Sequence, residues 1–417
     1  MTDATALLTT ADGKPLKAAL ARSMRTRRRR ALMLVLPLLL FILVTFLMPI
    51  GQMLFQSVYN PDFSVAAPSL RQWFKEHPQG SEIDEGAYAA LAADLQHMAK
   101  DKLAGAAGQR MNFDVPGTRS LFTATARKAG DLAPPYKESL LAIDKKWSDP
   151  MIWRAMRSAS SAYTGDFYLA AVDMTRDADG KIVKVDEKER VYVKLFVRTF
   201  GLSILITFIC LVLAFPVAHL LATLPMAKSN LLMILVLLPF WTSLLVRTTS
   251  WIVLLGNEGV LKSALRGIGL LAHDTEGPQL IYNQTGTIVA MTHILLPFMI
   301  LPLYSVMRTI DPRYVRAAKS LGATSWTAFR RVYLPLTLPG VGAGGLLVFI
   351  LAIGYYITPA LVGGAEGQLI SNLIALHINK TLNWSLAASL SGLLLLAVLI
   401  LYWLYDRLVG IDKLKLG

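Results

Sequence analysis

The residues whose types and spacing are most informative lie in one basic segment, residues 311–335, which reads DPRYVRAAKSLGATSWTAFRRVYLP. Asp311 can cap a helix that has Pro312 at its first position, and Gly322 stands where a left-handed residue ends a helix without steric cost. Basic side chains fill one side of this helix, and small or apolar side chains fill the other. This chemistry suits the binding of a partner surface rather than catalysis.

A second short helix is predicted to follow the first, from about residue 324 to residue 333. Leu334 and Pro335 would then turn the chain back towards an apolar run. The whole segment is therefore predicted to be a bent pair of helices with Gly322 between them.

Few other residues suit catalysis or metal binding. The single cysteine, Cys210, lies in an apolar run, so neither an internal disulfide nor a cysteine-based metal cluster is possible. His77 and His97 are isolated, and no G-x-x-x-x-G-K-[ST] phosphate loop occurs in the sequence. We therefore expect no catalytic residue, no metal and no cofactor in this chain.

The composition is that of an integral membrane protein. Of 417 residues, 54% are hydrophobic and only 17% are charged, and the formal net charge is +14. Nearly all of the positive excess falls in segments predicted to lie on one side of a membrane, which is the positive-inside pattern. We expect contact with membrane lipid and none with nucleic acid.

Six apolar spans are predicted, so the fold is expected to be an all-α polytopic membrane protein. The first, residues 31–55, follows a basic tail of residues 1–30. A signal peptide would have a shorter apolar core, followed by a small-residue cleavage site. The other five belong to a core of residues 196–408, before a short tail of residues 409–417, and cover about residues 196–221, 230–255, 285–307, 336–362 and 385–405.

An even number of spans places both termini and the loop of residues 308–335 in the cytoplasm, in agreement with the charge bias. Residues 56–195 would then form an extracytoplasmic insert, long enough for a core of its own. Its predicted class is α+β, with helices in residues 81–110 and strands over residues 167–175 and 182–195 around a turn at 177–180. Nothing in its sequence indicates its role.

Prolines interrupt several spans. An interior proline removes a backbone hydrogen bond that lipid cannot replace, so such a helix needs support from neighbours or a water-filled path. A helix bundle with a translocation route fits this pattern better than a passive anchor does. The prolines concerned are Pro216, Pro239, Pro297, Pro302 and Pro359.

Residues 311–335 resemble the "EAA" loop of permease subunits of type I bacterial ABC importers. That loop reads E-A-A, three residues, G, nine residues, then I-x-L-P. Both spacings are kept here, although Arg replaces Glu and Val replaces Ile, at the matching positions Arg316, Ala317, Ala318, Gly322, Val332, Leu334 and Pro335. The resemblance implies that the loop docks on an ATP-hydrolysing partner subunit.

Residues 196–405 are also similar to the polyamine-type permeases, the spermidine and putrescine importers and their opine-importing relatives. An acidic residue that commonly precedes the aromatic of the fifth span in polyamine importers is absent here. Arg247 inside a span is a candidate for a functional role, but the alternative, an arginine paired with a carboxylate to hold two helices, is slightly favoured. The candidates for the substrate route are Trp241, Arg247, Glu258, Tyr355 and Tyr356.

The sequence thus predicts a permease subunit of the bacterial inner membrane, carrying a small amino-containing solute such as a polyamine or an opine-like amino-acid derivative. The resemblance implies ABC ATPase subunits that bind ATP and magnesium, a periplasmic solute-binding protein, and a second permease that is either another chain or a copy of this one. Two alternatives are a membrane-anchored receptor or assembly protein working through residues 56–195, and a secondary transporter.

Overall fold

The computed structural model describes residues 16–78, 80–177, 180–270 and 278–409, which are almost entirely helical. Two short strands complete the regular structure of these residues. The helices and strands are α1 Leu16–Ile42, α2 Met48–Gln56, α3 Asp62–Ala66, α4 Pro68–Glu76, α5 Glu85–Lys100, α6 Ala104–Asn112, α7 Thr118–Arg127, α8 Tyr136–Ile143, α9 Pro150–Ala159, α10 Asp166–Ala171, β1 Met174–Arg176, β2 Ile182–Lys184, α11 Tyr192–Thr223, α12 Met226–Leu237, α13 Leu244–Leu255, α14 Val260–Gly267, α15 Gln284–Thr309, α16 Pro312–Ser320, α17 Ser325–Ala328, α18 Leu334–Gly354, α19 Ile357–Val362, α20 Ile370–Asn379 and α21 Trp384–Val409.

The chain divides into two units after Gln56. In the first unit, α1, a π-helical turn at Leu43–Leu47 and α2 follow one another without a break. Arg27–Gln56 is 30 residues long, and the apolar part of this span is not buried within the unit. At about 1.5 Å per residue, it is long enough to cross a bilayer core.

The second unit contains the other candidate membrane spans. Four are single helices, and a fifth is a pair of helices, Met226–Trp241 and Leu244–Gly267, bent by 94°. With Arg27–Gln56, the described residues contain five such helices, or six spans if the bent pair counts as one. The four single helices are Tyr192–Thr223, Gln284–Thr309, Ser325–Gly354 and Trp384–Arg407.

A break divides the predicted span over residues 230–255, near the proline expected to interrupt it. Pro239 lies in a 3-10 turn, Leu238–Trp241, and Thr242 is extended with ψ at 146°. Ser243 then caps α13 by accepting a hydrogen bond from the Val246 N–H at 3.2 Å. A proline and a capping serine so close together start a new helix rather than continue the old one.

The predicted span over residues 336–362 is also broken. Helix α18 ends at Gly354, Tyr355 is extended, and α19 begins at Ile357. Side chains of α20 supply the missing hydrogen bonds: Ser371 Oγ donates to the Tyr355 carbonyl at 2.5 Å, and Asn372 Nδ2 donates to the Tyr356 carbonyl at 2.7 Å. The break therefore depends on residues that lie well beyond it in the chain.

The turn predicted at Leu334 and Pro335 does not occur, because the chain continues as one helix from Ser325 to Gly354. The π-helical turn Phe329–Tyr333 shifts the hydrogen-bond register, so that the Leu334 N–H bonds to the Phe329 carbonyl. This change of register accommodates Pro335, which has no N–H to donate.

Helices α11, α15 and α18 pack together around a common apolar core. Buried Cys210, Leu295, Met299 and Val348 belong to it. Gly344 allows α18 to approach α15 closely, because a Cβ at this position would lie 2.9 Å from Met299 Sδ. Small residues at such contacts are typical of helices packed within membranes.

Residues between Ser57 and α11 form a helical insert with a separate apolar core. Phe63, Leu91, Phe122 and Trp147 are completely buried in it. The Phe63 and Phe122 rings meet edge to face at a centroid distance of 6.1 Å, and the Phe122 and Trp147 rings meet in the same way at 5.1 Å. Helices α5 and α6 fall within residues 81–110, in agreement with the prediction there.

The predicted strands of the insert are mostly wrong. Only three residues of each form an antiparallel pair, with Thr175 opposite Val183. Phe167 lies in α10, where it and Ala171, four residues later, are both buried as on one helical face. Residues 178 and 179 of the predicted turn lie outside the described residues.

Asp173 explains why α11 begins where a strand was expected. Its carboxylate accepts hydrogen bonds from the N–H groups of Val191 at 3.1 Å, Tyr192 at 3.0 Å and Val193 at 2.8 Å. The side chain is only 4% exposed. Asp173 caps the first turn of α11 from within the insert and so joins the insert to α11.

We expect Asp173→Ala to destabilise this junction by about 1–2 kcal/mol, the usual effect of removing a helix cap. Amide exchange at residues 191–193 should then accelerate roughly tenfold in the purified protein. The matched control is Asp186→Ala, because Asp186 is exposed and its side chain makes no hydrogen bond with the described residues. Equal exchange in the two variants would contradict the capping role.

Candidate functional site

The loop of residues 311–335 has the predicted start and bend. Asp311 caps α16 by accepting a hydrogen bond from the Arg313 N–H at 2.8 Å. Gly322 has φ at +89°, and the flanking N–H groups bond back into the last turn of α16. This is a Schellman motif, in which a left-handed glycine ends a helix and satisfies its last carbonyls. Thr324 then caps α17.

The apolar side chains of the loop lie largely in the open. Leu321 is 89% exposed, Trp326 67% and Tyr314 58%. Ala317 is exposed, whereas Ala318 is partly buried. An apolar group of this size on a basic loop is typical of a surface that another protein covers.

The remaining residues of the loop pattern occupy different environments. Arg316, at the position of the family glutamate, is exposed and has no ion pair within the described part of the chain. Val332 and Leu334 are partly buried and Pro335 is exposed, all three within the continuous helix Ser325–Gly354. They belong to the base of the loop rather than to its exposed bend.

Two side chains that the sequence analysis missed hold α11 against the helices at the two ends of the loop. The Tyr333 hydroxyl lies 2.9 Å from His219 Nδ1. Arg308, at the end of α15, donates to the carbonyls of Ala222 at 2.8 Å and Leu224 at 3.4 Å. These contacts join residues far apart in the chain, and no local pattern indicates them.

The five candidates for the substrate route do not form one cluster. Arg247 lies on α13, which packs against α15, the helix of His293, and against α19, which begins just after Tyr355 and Tyr356. Trp241, 76% exposed, and Glu258, also exposed, make no side-chain hydrogen bond, ion pair or ring contact with the described residues. Tyr356 is 45% exposed beside Tyr355.

Arg247 is not paired with a carboxylate among the residues that the structure describes, so the helix-holding ion pair is absent there. Its Nε is buried and has no hydrogen-bond partner in the same set. His293, which the sequence analysis missed, accepts a hydrogen bond at Nδ1 from Trp251 Nε1 at 3.2 Å. A second link between helices is the 3.2 Å contact of the Thr248 and Thr358 hydroxyls.

The insert contains a cavity of about 650 Å³ beside α9, α10 and the strand pair. Two of its carboxylates have arginine partners: Asp114 binds the buried Arg110 at 2.6 Å, and Asp166 binds Arg176 at 2.9 Å. Burial opposes ionisation of Asp166, but hydrogen bonds from Ser158, Arg176 and Thr164 outweigh it and lower the pKa of this carboxyl. Charges of both signs line the rest of the cavity, among them Arg154 and Glu189.

No group of three or more His, Cys, Asp or Glu side chains within the described ranges could hold a metal ion. The described residues of the site supply an exposed, partly apolar loop surface and a polar break between helices.

An apolar helical core with broken spans and an exposed basic helix pair defines the class as a membrane transport protein. A family model described as "Binding-protein-dependent transport system inner membrane component" matches residues 196–410. The match covers more than half of the chain, which therefore belongs to this family: it is a permease subunit of an ABC importer. The family is a transport permease and not an enzyme, and ATP is hydrolysed in a separate subunit.

Characterised relatives match the same half of the chain. The spermidine/putrescine transport system permease protein PotB of Haemophilus influenzae is 36% identical over 215 residues, 51% of this chain and 74% of that protein. PotB of Escherichia coli K12 is 34% identical over 222 residues, 52% of this chain and 80% of that protein. The inner membrane ABC transporter permease protein YdcU of Escherichia coli K12 is 31% identical, covering 53% and 73%.

Among solved structures, a bacterial ABC transporter involved in the import of alginate covers 73% of this chain and 99% of its own, with 14% identity and a TM-score of 0.48. Membership of the permease family, which rests on sequence, favours neither a membrane-anchored receptor nor a secondary transporter.

Proposed function

We propose that this permease forms the route for a small amino-containing solute, a polyamine or an opine-like amino-acid derivative, and couples to ABC ATPase subunits through residues 311–335. The observation that carries the coupling proposal is the shape and exposure of this loop. Its bend is fixed by the left-handed Gly322, and Tyr314, Leu321 and Trp326 are all more than half exposed.

The loop fits a groove on a partner because it combines rigidity with a wide apolar contact. Capping at Asp311 and Thr324 fixes where both short helices begin, so little conformational freedom is lost on docking. Leu321 and Trp326 flank the bend and would enter the groove first. ATP and magnesium would be bound by the partner, and closure of the ATPase pair would move the loop.

Gly322 gives a sharp test of coupling. A Cβ at this position meets nothing within 4 Å, so Gly322→Ala acts through its backbone at φ +89°, which costs an alanine about 1 kcal/mol. We expect Gly322→Ala to lower both uptake and the ATP hydrolysis stimulated by loaded binding protein, by about fivefold.

The matched control is Gly322→Asn, because asparagine adopts the left-handed conformation more readily than alanine does. It should retain more activity than Gly322→Ala, although its side chain is larger. Leu321→Asp should abolish copurification of the ATPase by placing a charge in the docked surface. Wild-type uptake in both Gly322→Ala and Leu321→Asp would contradict the proposal.

We also propose six spans with both termini and the coupling loop in the cytoplasm, and the insert in the periplasm. The proposal counts the bent pair Met226–Trp241 and Leu244–Gly267 as one span, and the charge bias supports this orientation. Protease added to spheroplasts should therefore cut the insert and spare the loop around Lys319. Cleavage of the loop with protection of the insert would reverse the orientation.

A second permease subunit and a periplasmic solute-binding protein are proposed as further partners. The family description, which specifies a binding-protein-dependent transport system, supports the binding protein. Transport would follow alternating access, in which groups of helices rock about a site near the bilayer centre. The break at Tyr355 beside Arg247 is the candidate for that site, because broken helices expose polar backbone there.

The names of the PotB relatives support a polyamine as the solute. The absence of an acidic residue before Tyr355 and the presence of Arg247 favour a solute that also carries a carboxylate, such as an opine. Both classes share a positively charged amine, for which Glu258 is the candidate counter-charge near the outer mouth.

We expect Glu258→Gln to lower uptake of radiolabelled putrescine by about threefold to fivefold, since one exposed charge contributes up to about 1 kcal/mol. Glu366→Gln is the control, because Glu366 is an exposed glutamate elsewhere on the chain. Competition by unlabelled spermidine and by an amino-acid derivative would separate the two solute classes. Unchanged uptake in Glu258→Gln would remove this residue from the route.

A further inference from the structure

Three aromatic side chains form a continuous stack that leads from the coupling loop into the membrane helix above it. Trp326 is 67% exposed on α17, and its ring stacks on Phe329 at a centroid distance of 5.7 Å. Phe329 in turn stacks on Tyr333 at 6.0 Å, and Tyr333 is buried. The stack therefore begins in the surface proposed to dock and ends inside the helix core.

The same stack makes two contacts with α11. The edge of one ring meets the face of the other between Phe215 and Phe329, at 6.0 Å and 84°. Tyr333 meets His219 in a similar arrangement at 5.0 Å, and its hydroxyl is within hydrogen-bond distance of His219 Nδ1. The stack thus contacts one face of α11, at Phe215 and His219.

Both helices have an interrupted backbone ladder at this contact. Pro216, next to Phe215, removes a hydrogen bond from the interior of α11. Phe329 and Tyr333 lie at the two ends of the π-helical turn that precedes α18. Kinks in helices occur at prolines and π-turns, so both helices can bend where the rings touch.

Other contacts between the loop region and α11 do not provide this path. Arg308 donates to the carbonyls of Ala222 and Leu224, which hold the end of α11 to α15 rather than to the coupling loop. Phe329 is the one member of the stack that touches Trp326, Tyr333 and Phe215 alike, within the part of the chain that the structure describes.

We propose that Phe329 is a positioning residue that transmits displacement of the docked loop to α11, in addition to the direct connection of the loop to α18. The inference rests on the proposed coupling function and adds a second membrane helix to the coupling path. The proposal requires a flat ring at residue 329. This ring must resist compression between Trp326 and Tyr333 while it also contacts Phe215.

The test measures uptake and ATP hydrolysis by the complete complex reconstituted with ATPase subunits and loaded binding protein. Phe329→Leu keeps an apolar side chain but removes all three ring contacts, and Phe329→Tyr restores the ring. Phe200→Leu is the matched control, because Phe200 pairs with Phe349 at 6.3 Å elsewhere on α11 and α18. Tyr333→Phe keeps the ring and removes only the hydroxyl.

We expect Phe329→Leu to assemble with the ATPase and to lower the ratio of solute transported to ATP hydrolysed by at least about threefold to tenfold, the effect of losing one aromatic contact, because all three ring contacts are lost. Phe329→Tyr should restore the ratio, and Phe200→Leu should leave it near that of the wild type. Tyr333→Phe should lower it less than Phe329→Leu does, because only the hydroxyl contact with His219 is lost.

An unchanged ratio in an assembled Phe329→Leu complex would overturn the inference while leaving the coupling function intact. An equal fall in Phe329→Leu and Phe200→Leu would also overturn it, because it would indicate a general packing effect. If the wild-type chain binds no ATPase, the proposed coupling function itself fails, and this inference with it.

Discussion

The structure depends on one constraint, that backbone groups in an apolar setting must find hydrogen-bond partners wherever a helix is interrupted. The breaks in this chain meet it in different ways. At the 3-10 turn before α13, a serine hydroxyl accepts the freed N–H. At Tyr355 and Tyr356, side chains of α20 donate to the freed carbonyls. At Pro335, a π-turn changes the register so that the missing donor is tolerated.

This constraint explains which parts of the fold can be predicted from sequence patterns. The start of α16 and the left-handed Gly322 are confirmed because their signals lie within a few neighbouring residues, a cap, a proline and a glycine. The positions of long apolar runs are equally local. Their continuity is not, because whether a run forms one helix or two depends on partners such as Asn372, which no pattern near Tyr356 indicates.

The insert illustrates the same limit. Alternating apolar residues around residues 167–175 and 182–195 predicted strands, yet Asp173 caps the N-terminus of α11 from a distance and favours helix from Tyr192. At the site, the loop pattern predicted the bend at Gly322, whereas the contacts of Tyr333, His219 and Arg308 were missed because their partners lie in other helices. Side-chain pairs between distant elements are the information that local patterns lack.

Helix α20 connects the insert to the interrupted span. Its first turn carries the side chains that stabilise the break, and His377 near its end lies 3.2 Å from the Tyr192 hydroxyl at the start of α11. Gln109 of the insert also donates to the Thr381 carbonyl just after α20. Helix α20 and the residue Thr381 just after it therefore make hydrogen bonds to the insert, to α11 and to the break after α18. A shift of any of these three parts relative to α20 would change one of those hydrogen bonds. Helix α11 meets the insert at its first turn. Near its other end, α11 meets the coupling loop through the aromatic stack. Residues beyond the family match, from 57 to 191, are thus joined to the transport core by specific polar contacts rather than by a free linker.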